Sequence, residues 1–171
     1  NEDDDEDGLP DYYEENLVDN LDDLNGNGAG PGPGSGTGDF DGDGLTDLDE
    51  YEETKTNPTL ADTDEDGLSD GVETNTGTFV SATNTGTNPK KTDTDKDGLI
   101  DSVETNTGVL VDEENTGTSP LNKDSDGDGY SDGGEIAGGT DPNDENSKGA
   151  LPAPFLYLDF EENAVDLSGN A

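Results

Sequence analysis

Three features of this 171-residue sequence predict an elongated repeat array of mostly irregular loops, with short helical turns, small β-ribbons and little hydrophobic core. A twelve-residue Asp-rich word recurs five times, only 24% of the residues are apolar, and 46 acidic side chains stand against 6 basic ones. The first feature also names what stabilises the array, because the word has the spacing of a calcium loop.

Loop 1 carries Asp3, Asp5, Asp7, Leu9, Asp11 and Glu14 at positions 1, 3, 5, 7, 9 and 12. Loop 2 carries Asp39, Asp41, Asp43, Leu45, Asp47 and Glu50, and loop 3 carries Asp62, Asp64, Asp66, Leu68, Asp70 and Glu73. Loop 4 has Asp93, Asp95, Asp97, Leu99, Asp101 and Glu104, and loop 5 has Asp124, Asp126, Asp128, Tyr130, Asp132 and Glu135. A hard cation of calcium's size takes six to eight oxygens at about 2.3–2.6 Å, which one short wrap of backbone can supply. Positions 1, 3 and 5 give carboxylate oxygens and position 7 its carbonyl. Position 9 reaches the ion directly or through water, and Glu at 12 closes the shell bidentately. Gly8, Gly44, Gly67, Gly98 and Gly129 stand at position 6, where the turn is sharpest.

Composition narrows the chemistry. An acidic chain of this kind ordinarily reads as disordered, but disorder does not fix carboxylates at odd positions around a glycine five times. The apolar content is too small for a core of ordinary size, so metal takes its place. The formal charge is −40, and one calcium per loop would reduce it to −30 by neutralising carboxylates where they cluster. Without Cys or His, disulfides and zinc, haem or iron–sulfur sites are excluded, leaving hard oxygen ligands. Six Lys and no Arg disfavour nucleic acid, and no apolar run is long enough to cross a bilayer. Sites of this type fill at the calcium levels found outside cells, pointing to a secreted or cell-surface setting. The chain reads as a segment of a larger mature protein.

Four regions follow. Residues 1–24 hold loop 1 and a helix over 11–24 whose Tyr13, Leu17, Leu21 and Leu24 share one face, the end of an upstream module. Residues 25–38 are a linker of almost only Gly, Pro, Ser, Asn and Thr, spanning roughly 20 Å as a coil. Residues 39–148 form the four-loop array, with loop starts 23, 31 and 31 residues apart; the two 31-residue units agree at 19 positions. Each unit carries Thr-X-Pro, at Thr56–Pro58, Thr87–Pro89, Thr118–Pro120 and Thr140–Pro142, setting the entry angle of the next loop. Inserts containing Thr78-Phe79-Val80-Ser81 and Val109-Leu110-Val111 predict two-stranded ribbons. Asn146 falls where a sixth loop would start, but the word does not continue, so the array ends there. Residues 149–171 open a β-sandwich: Phe155–Phe160 is apolar on both faces and requires a partner strand.

The Asp-rich word followed by Gly-Leu-Ser-Asp-Gly-Val-Glu at 67–73, with Thr-Asp-Pro at 140–142, resembles the bacterial form of the thrombospondin type 3 repeat. That resemblance covers 39 to about 146, lacks the animal family's disulfides, and implies a calcium-filled array joining domains of large surface proteins. The tail, with Leu158-Asp159-Phe160, Asn163, Asp166 and Ser168-Gly169-Asn170, is similar to the opening of laminin-G or concanavalin-like lectin domains. EF-hand sensors share the loop, but they have an entering helix and an aliphatic at position 8, where this chain has Thr-X-Pro and an apolar residue at 7. Dockerins need long amphipathic helices, and the segments after Glu50, Glu73 and Glu104 are too polar for that.

The leading functional expectation is a calcium-rigidified spacer of an adhesin-like protein, holding a downstream domain, such as a sugar-binding one, away from the cell. The alternative is a fibre module that donates the Phe155–Phe160 strand to another copy. The partners are then calcium, flanking domains, other copies or carbohydrate. An acidic glycosidase is disfavoured because metal occupies the carboxylates.

Overall fold

The computed structural model describes residues 3, 8–10, 12–13 and 38–148. Most of the expected 11–24 helix, nearly all of the 25–38 linker and the whole 149–171 tail, including the strand at 155–160, lie outside the described residues.

Local structure starts from the loop word. In each described loop, position 6 has φ between 100° and 107°, at Gly8, Gly44, Gly67, Gly98 and Gly129. That backbone conformation is open to glycine and strained for any side chain. The turn returns the chain so that the position 9 amide donates to the carbonyl just before the loop. Asp47 bonds Gly38, Asp70 bonds Ala61, Asp101 bonds Thr92 and Asp132 bonds Lys123, at 2.9–3.0 Å.

Helical structure begins at the same position 9 every time. Helix α1 (Asp47–Asp49) runs into a π-helical turn, Glu50–Thr54; 3₁₀ turns occupy Asp70–Val72 and Asp101–Val103; helix α2 is Asp132–Gly138. The residue at position 8 is extended in each loop and acts as N-cap. Thr46 forms a capping box with Asp49, and Ser131 accepts from the Gly134 amide. Lys55 and Gly139, both left-handed, end the longer pieces. The 3₁₀ turns end at Glu73 and Glu104, whose ψ of 82° and 87° leads straight into the inserts.

The expected ribbons contract to single antiparallel bridges, Ser81 to Asn84 and Asp112 to Asn115, and no longer strand occurs among the described residues. The reason lies in the flanks. Asn75, Gly77 and Gly86 in one insert and Asn106, Gly108 and Gly117 in the other have positive φ, which breaks the pleat. A few cross-loop bonds survive, such as Asn75 N to Thr87 O at 2.7 Å and Gly77 N to Gly86 O at 3.0 Å. Val80, Val109 and Val111 consequently stay exposed.

Each Thr-X-Pro makes a turn in which the X carbonyl accepts from the amide three residues on: Leu60 to Asn57, Lys91 to Asn88, Asn122 to Ser119 and Asp144 to Asp141. Proline's fixed φ suits the second position of such a turn. Successive loops then touch. A Cβ on Gly71 would lie 2.3 Å from the Asp43 carbonyl oxygen and one on Gly133 2.5 Å from that of Asp97, so position 10 backbone packs directly on the preceding loop's position 5. At the other end of the described array, Gly8 lies against Leu48 and the Tyr13 ring is 4.3 Å from that of Tyr51.

The interior is polar. Leu9 is the buried hydrophobic side chain of the core among the described residues, whereas Asp47, Asp70, Asp101, Asp132, the four position 12 glutamates and Thr56, Thr85, Thr87, Thr116 and Thr118 are all buried. Little core was expected, and the place of one is taken by carboxylates and hydroxyls.

Candidate metal centre

Loops 2 to 5 repeat one hydrogen-bond scheme. The position 1 carboxylate, from Asp39, Asp62, Asp93 or Asp124, accepts from the position 4 amide at 2.6–2.9 Å and from the position 6 amide at 2.9–3.2 Å. Position 3 accepts through Oδ1 from the position 5 amide, and position 5 through Oδ1 from the position 7 amide. At positions 3 and 5 the loop's own amides thus hold Oδ1 and leave the Oδ2 edge turned inward, whereas at position 1 they hold both oxygens. In loop 1, Asp3 Oδ2 accepts from Gly8 N at 3.2 Å in the same way; Asp5, Asp7, Asp11 and Glu14 lie outside the described residues.

The inward edges are the chemical signature. Asp41 and Asp43 Oδ2 with Glu50 Oε2, Asp64 and Asp66 Oδ2 with Glu73 Oε2, and Asp126 and Asp128 Oδ2 with Glu135 Oε2 are buried oxygens without a hydrogen-bond partner. Asp95 Oδ2, Glu104 Oε2 and Asp3 Oδ1 are in the same condition. Buried carboxylate oxygens cost several kcal/mol each unless something positive meets them. One oxygen from each of Asp39, Asp41 and Asp43 lies within 4.8 Å of the others, as do those of Asp62, Asp64 and Asp66 and of Asp93, Asp95 and Asp97. An all-oxygen set converging from one loop fits a hard divalent cation.

The electrostatics agree. Burial first, and then the carboxylates of positions 3 and 5, push Glu50 and Glu73 up to about 8 and Glu104 to about 9. Glu135, Asp66 and Asp95 rise to about 7, again chiefly through burial. Without a cation these groups retain protons near neutrality; a cation must displace them.

Position 9 plays a different part from positions 3 and 5. Asp70, Asp101 and Asp132 have both oxygens engaged by position 2: the amides of Thr63, Thr94 and Ser125 donate to Oδ1 at 2.8–2.9 Å and their hydroxyls to Oδ2 at 2.6–2.7 Å. The role reached through water remains open to them. Asp101 and Asp132 also face backward: carboxylate oxygens of Asp101 come within 4.8 Å of those of Asp66 and Glu73, and Asp132 does the same with Asp97 and Glu104.

Two sets of functional residues were missed by sequence reasoning. The Thr of Thr-X-Pro orients the closing glutamate: Thr56, Thr87, Thr118 and Thr140 donate to Oε1 of Glu50, Glu73, Glu104 and Glu135 at 3.0–3.3 Å. Its constancy in every unit was the signal, read only as a proline turn. Position 2 is the other, its hydroxyl also accepting from the X amide of the preceding Thr-X-Pro at 2.9 Å. Both sets hold ligand groups rather than supply them.

A family model described as the bacterial TSP3 repeat fits residues 39–61, 62–78 and 124–145. Loop 4 falls between the matched stretches and has the same hydrogen-bond scheme. No curated protein and no solved structure matches the chain.

Proposed function

Because the chain carries bacterial thrombospondin type 3 repeats, which are calcium-binding structural repeats, we propose that it is a calcium-rigidified spacer of a secreted or cell-surface protein. The observation that carries this reading is the recurrence of partnerless buried oxygens at positions 3, 5 and 12. In loop 3 the ion is held by Asp62, Asp64, Asp66, the Leu68 carbonyl and Glu73, and the other loops use the corresponding residues, at about one ion per loop. Calcium supplies the positive charge that lets these carboxylates stay ionised inside the fold.

The chain's own residues do the rest. Backbone amides and the Thr-X-Pro hydroxyls hold the ligand edges, and position 10 stacks each loop on the one before. Rigidity propagates because nearest neighbours share that contact, as in other quasi-one-dimensional repeats. The role is structural rather than catalytic. No helix among the described residues is long and apolar enough to cross a membrane, and flanking domains would be joined through the ends of the array.

The test is native mass spectrometry for the ion count, together with small-angle scattering of the full chain in calcium and then in chelator. About five calcium ions and an expansion on chelation are expected, since apolar burial is too small to resist carboxylate repulsion. An unchanged radius and unchanged protease resistance after chelation would sink the proposal.

A further inference from the structure

Residues 141–148 keep the register of a sixth loop. Asp141 N donates to Ser147 Oγ at 2.9 Å. The amides of Asn57, Asn88 and Ser119 donate to the position 2 hydroxyls of Thr63, Thr94 and Ser125 at the same distance and the same sequence separation. In this register Asn146 occupies position 1, Ser147 position 2 and Lys148 position 3. An ammonium therefore stands where every true loop has an aspartate.

That ammonium reaches back to loop 5. Lys148 Nζ is 3.5 Å from the Asp128 carbonyl oxygen and 3.7 Å from Asp128 Oδ2, an oxygen that is buried and accepts no hydrogen bond. Within the array the following repeat takes the carbonyl at Asp66 and both acceptors at Asp97. The Ser102 hydroxyl donates to the Asp66 carbonyl, the Ser131 hydroxyl to the Asp97 carbonyl at 3.5 Å, and the Gly133 amide to Asp97 Oδ2 at 2.8 Å.

We infer that Lys148 is the end cap of the array, a tethered cation that stands on Asp128 in place of the next repeat and competes there with calcium. The inference rests on the loop residues being calcium ligands. A neutral donor from the next repeat steadies Asp97 without opposing a cation. Lys148 instead offsets the mutual repulsion of Asp124, Asp126 and Asp128 in the ion-free loop and repels an arriving ion. Both effects favour the ion-free state, so the cap lowers the affinity of loop 5. The Lys148 side chain is 56% exposed, so water screens it and the effect is moderate.

The test uses the full ¹⁵N-labelled chain titrated with calcium chloride, with the position 6 amides of Gly67, Gly98 and Gly129 reporting loops 3, 4 and 5. Lys148→Met should lower the calcium concentration at the Gly129 midpoint about threefold. The Gly67 midpoint should not move, and Lys148→Arg, which keeps the charge, should behave as the parent. Added salt should narrow the gap between parent and Lys148→Met. A Gly129 midpoint that is unchanged or raised in Lys148→Met, with all three amides responding to calcium, overturns the competing cap alone. Three amides that ignore calcium overturn the ligand assignment and this inference together.

Discussion

Replacing Thr87 with valine keeps the shape of a fully buried side chain and deletes one hydroxyl. That hydroxyl lies 3.0 Å from Glu73 Oε1 and 2.6 Å from Thr85 Oγ1. Thr85 keeps an alternative acceptor in the Val72 carbonyl at 3.2 Å, so the loss falls on Glu73. In the calcium-free chain Glu73, pushed up to about 8, is largely protonated at pH 7 and accepts only an ordinary hydrogen bond. Once ionised and bound to metal it accepts a charge-assisted one, worth about 1.5–3 kcal/mol. The affinity changes by the difference between the two, about 1–1.5 kcal/mol, so at about 1.4 kcal/mol per decade Thr87→Val should weaken loop 3 by roughly fivefold to tenfold. Thr87→Ser, which keeps the hydroxyl, should restore most of it. The assay is a calcium titration followed at the Gly67 amide, with Gly98 reporting any spread to loop 4. Parental affinity in Thr87→Val would refute the idea that the Thr-X-Pro hydroxyl orients the closing glutamate.

Two further outcomes are expected. Gly71→Ala places a methyl 2.3 Å from the Asp43 carbonyl oxygen and should loosen the joint between loops 2 and 3 by about 1–3 kcal/mol, seen as faster amide exchange at Asp70 and Val72. Gly138→Ala, which meets nothing within 4 Å, is the control, and equal exchange in the two variants would refute the packing argument. Calcium affinity should rise from pH 6 to pH 9, as Glu135, Asp66 and Asp95 near 7, Glu50 and Glu73 near 8 and Glu104 near 9 give up protons. With pKa values raised in the fold, the calcium-free chain holds protons that the unfolded chain has released. It therefore loses stability as pH climbs from about 4.5 through these values, while calcium restores it. Calorimetry in two buffers of different ionisation enthalpy should register proton release at pH 7, and none would contradict the scheme.

The loop itself was legible because its chemistry is local. Position 6 needs a glycine for its positive φ, and Gly8, Gly44, Gly67, Gly98 and Gly129 announce it. Position 4 is left-handed too, yet only Gly42 and Gly127 hint at it, since Glu65 and Lys96 adopt the same conformation with their amides bonded to position 1. The supporting hydroxyls were harder to see. Thr63 and Thr87 look like any polar surface residue until the chain folds back six or fourteen positions to meet its partners. Docking between loops was invisible, because Gly71, Ser102 and Gly133 share a place and not a residue type. The ribbons failed for the opposite reason: the composition of Val80 and Val109 suited a strand, but nearby Asn and Gly residues with positive φ broke the pairing.

An interior made of carboxylates and threonines changes how this protein responds to temperature. The heat-capacity increment of unfolding comes from apolar surface meeting water and is reduced by polar surface doing so. Opening this array exposes mainly polar groups, so its increment falls below the usual ~12–15 cal/mol/K per residue and its stability curve is flatter than that of an ordinary domain of the same length. Hydrophobic cores weaken on cooling, and the described residues have almost none to weaken. The melting point is then governed by free calcium through mass action, so the surrounding solution, more than the packing, decides where the array melts.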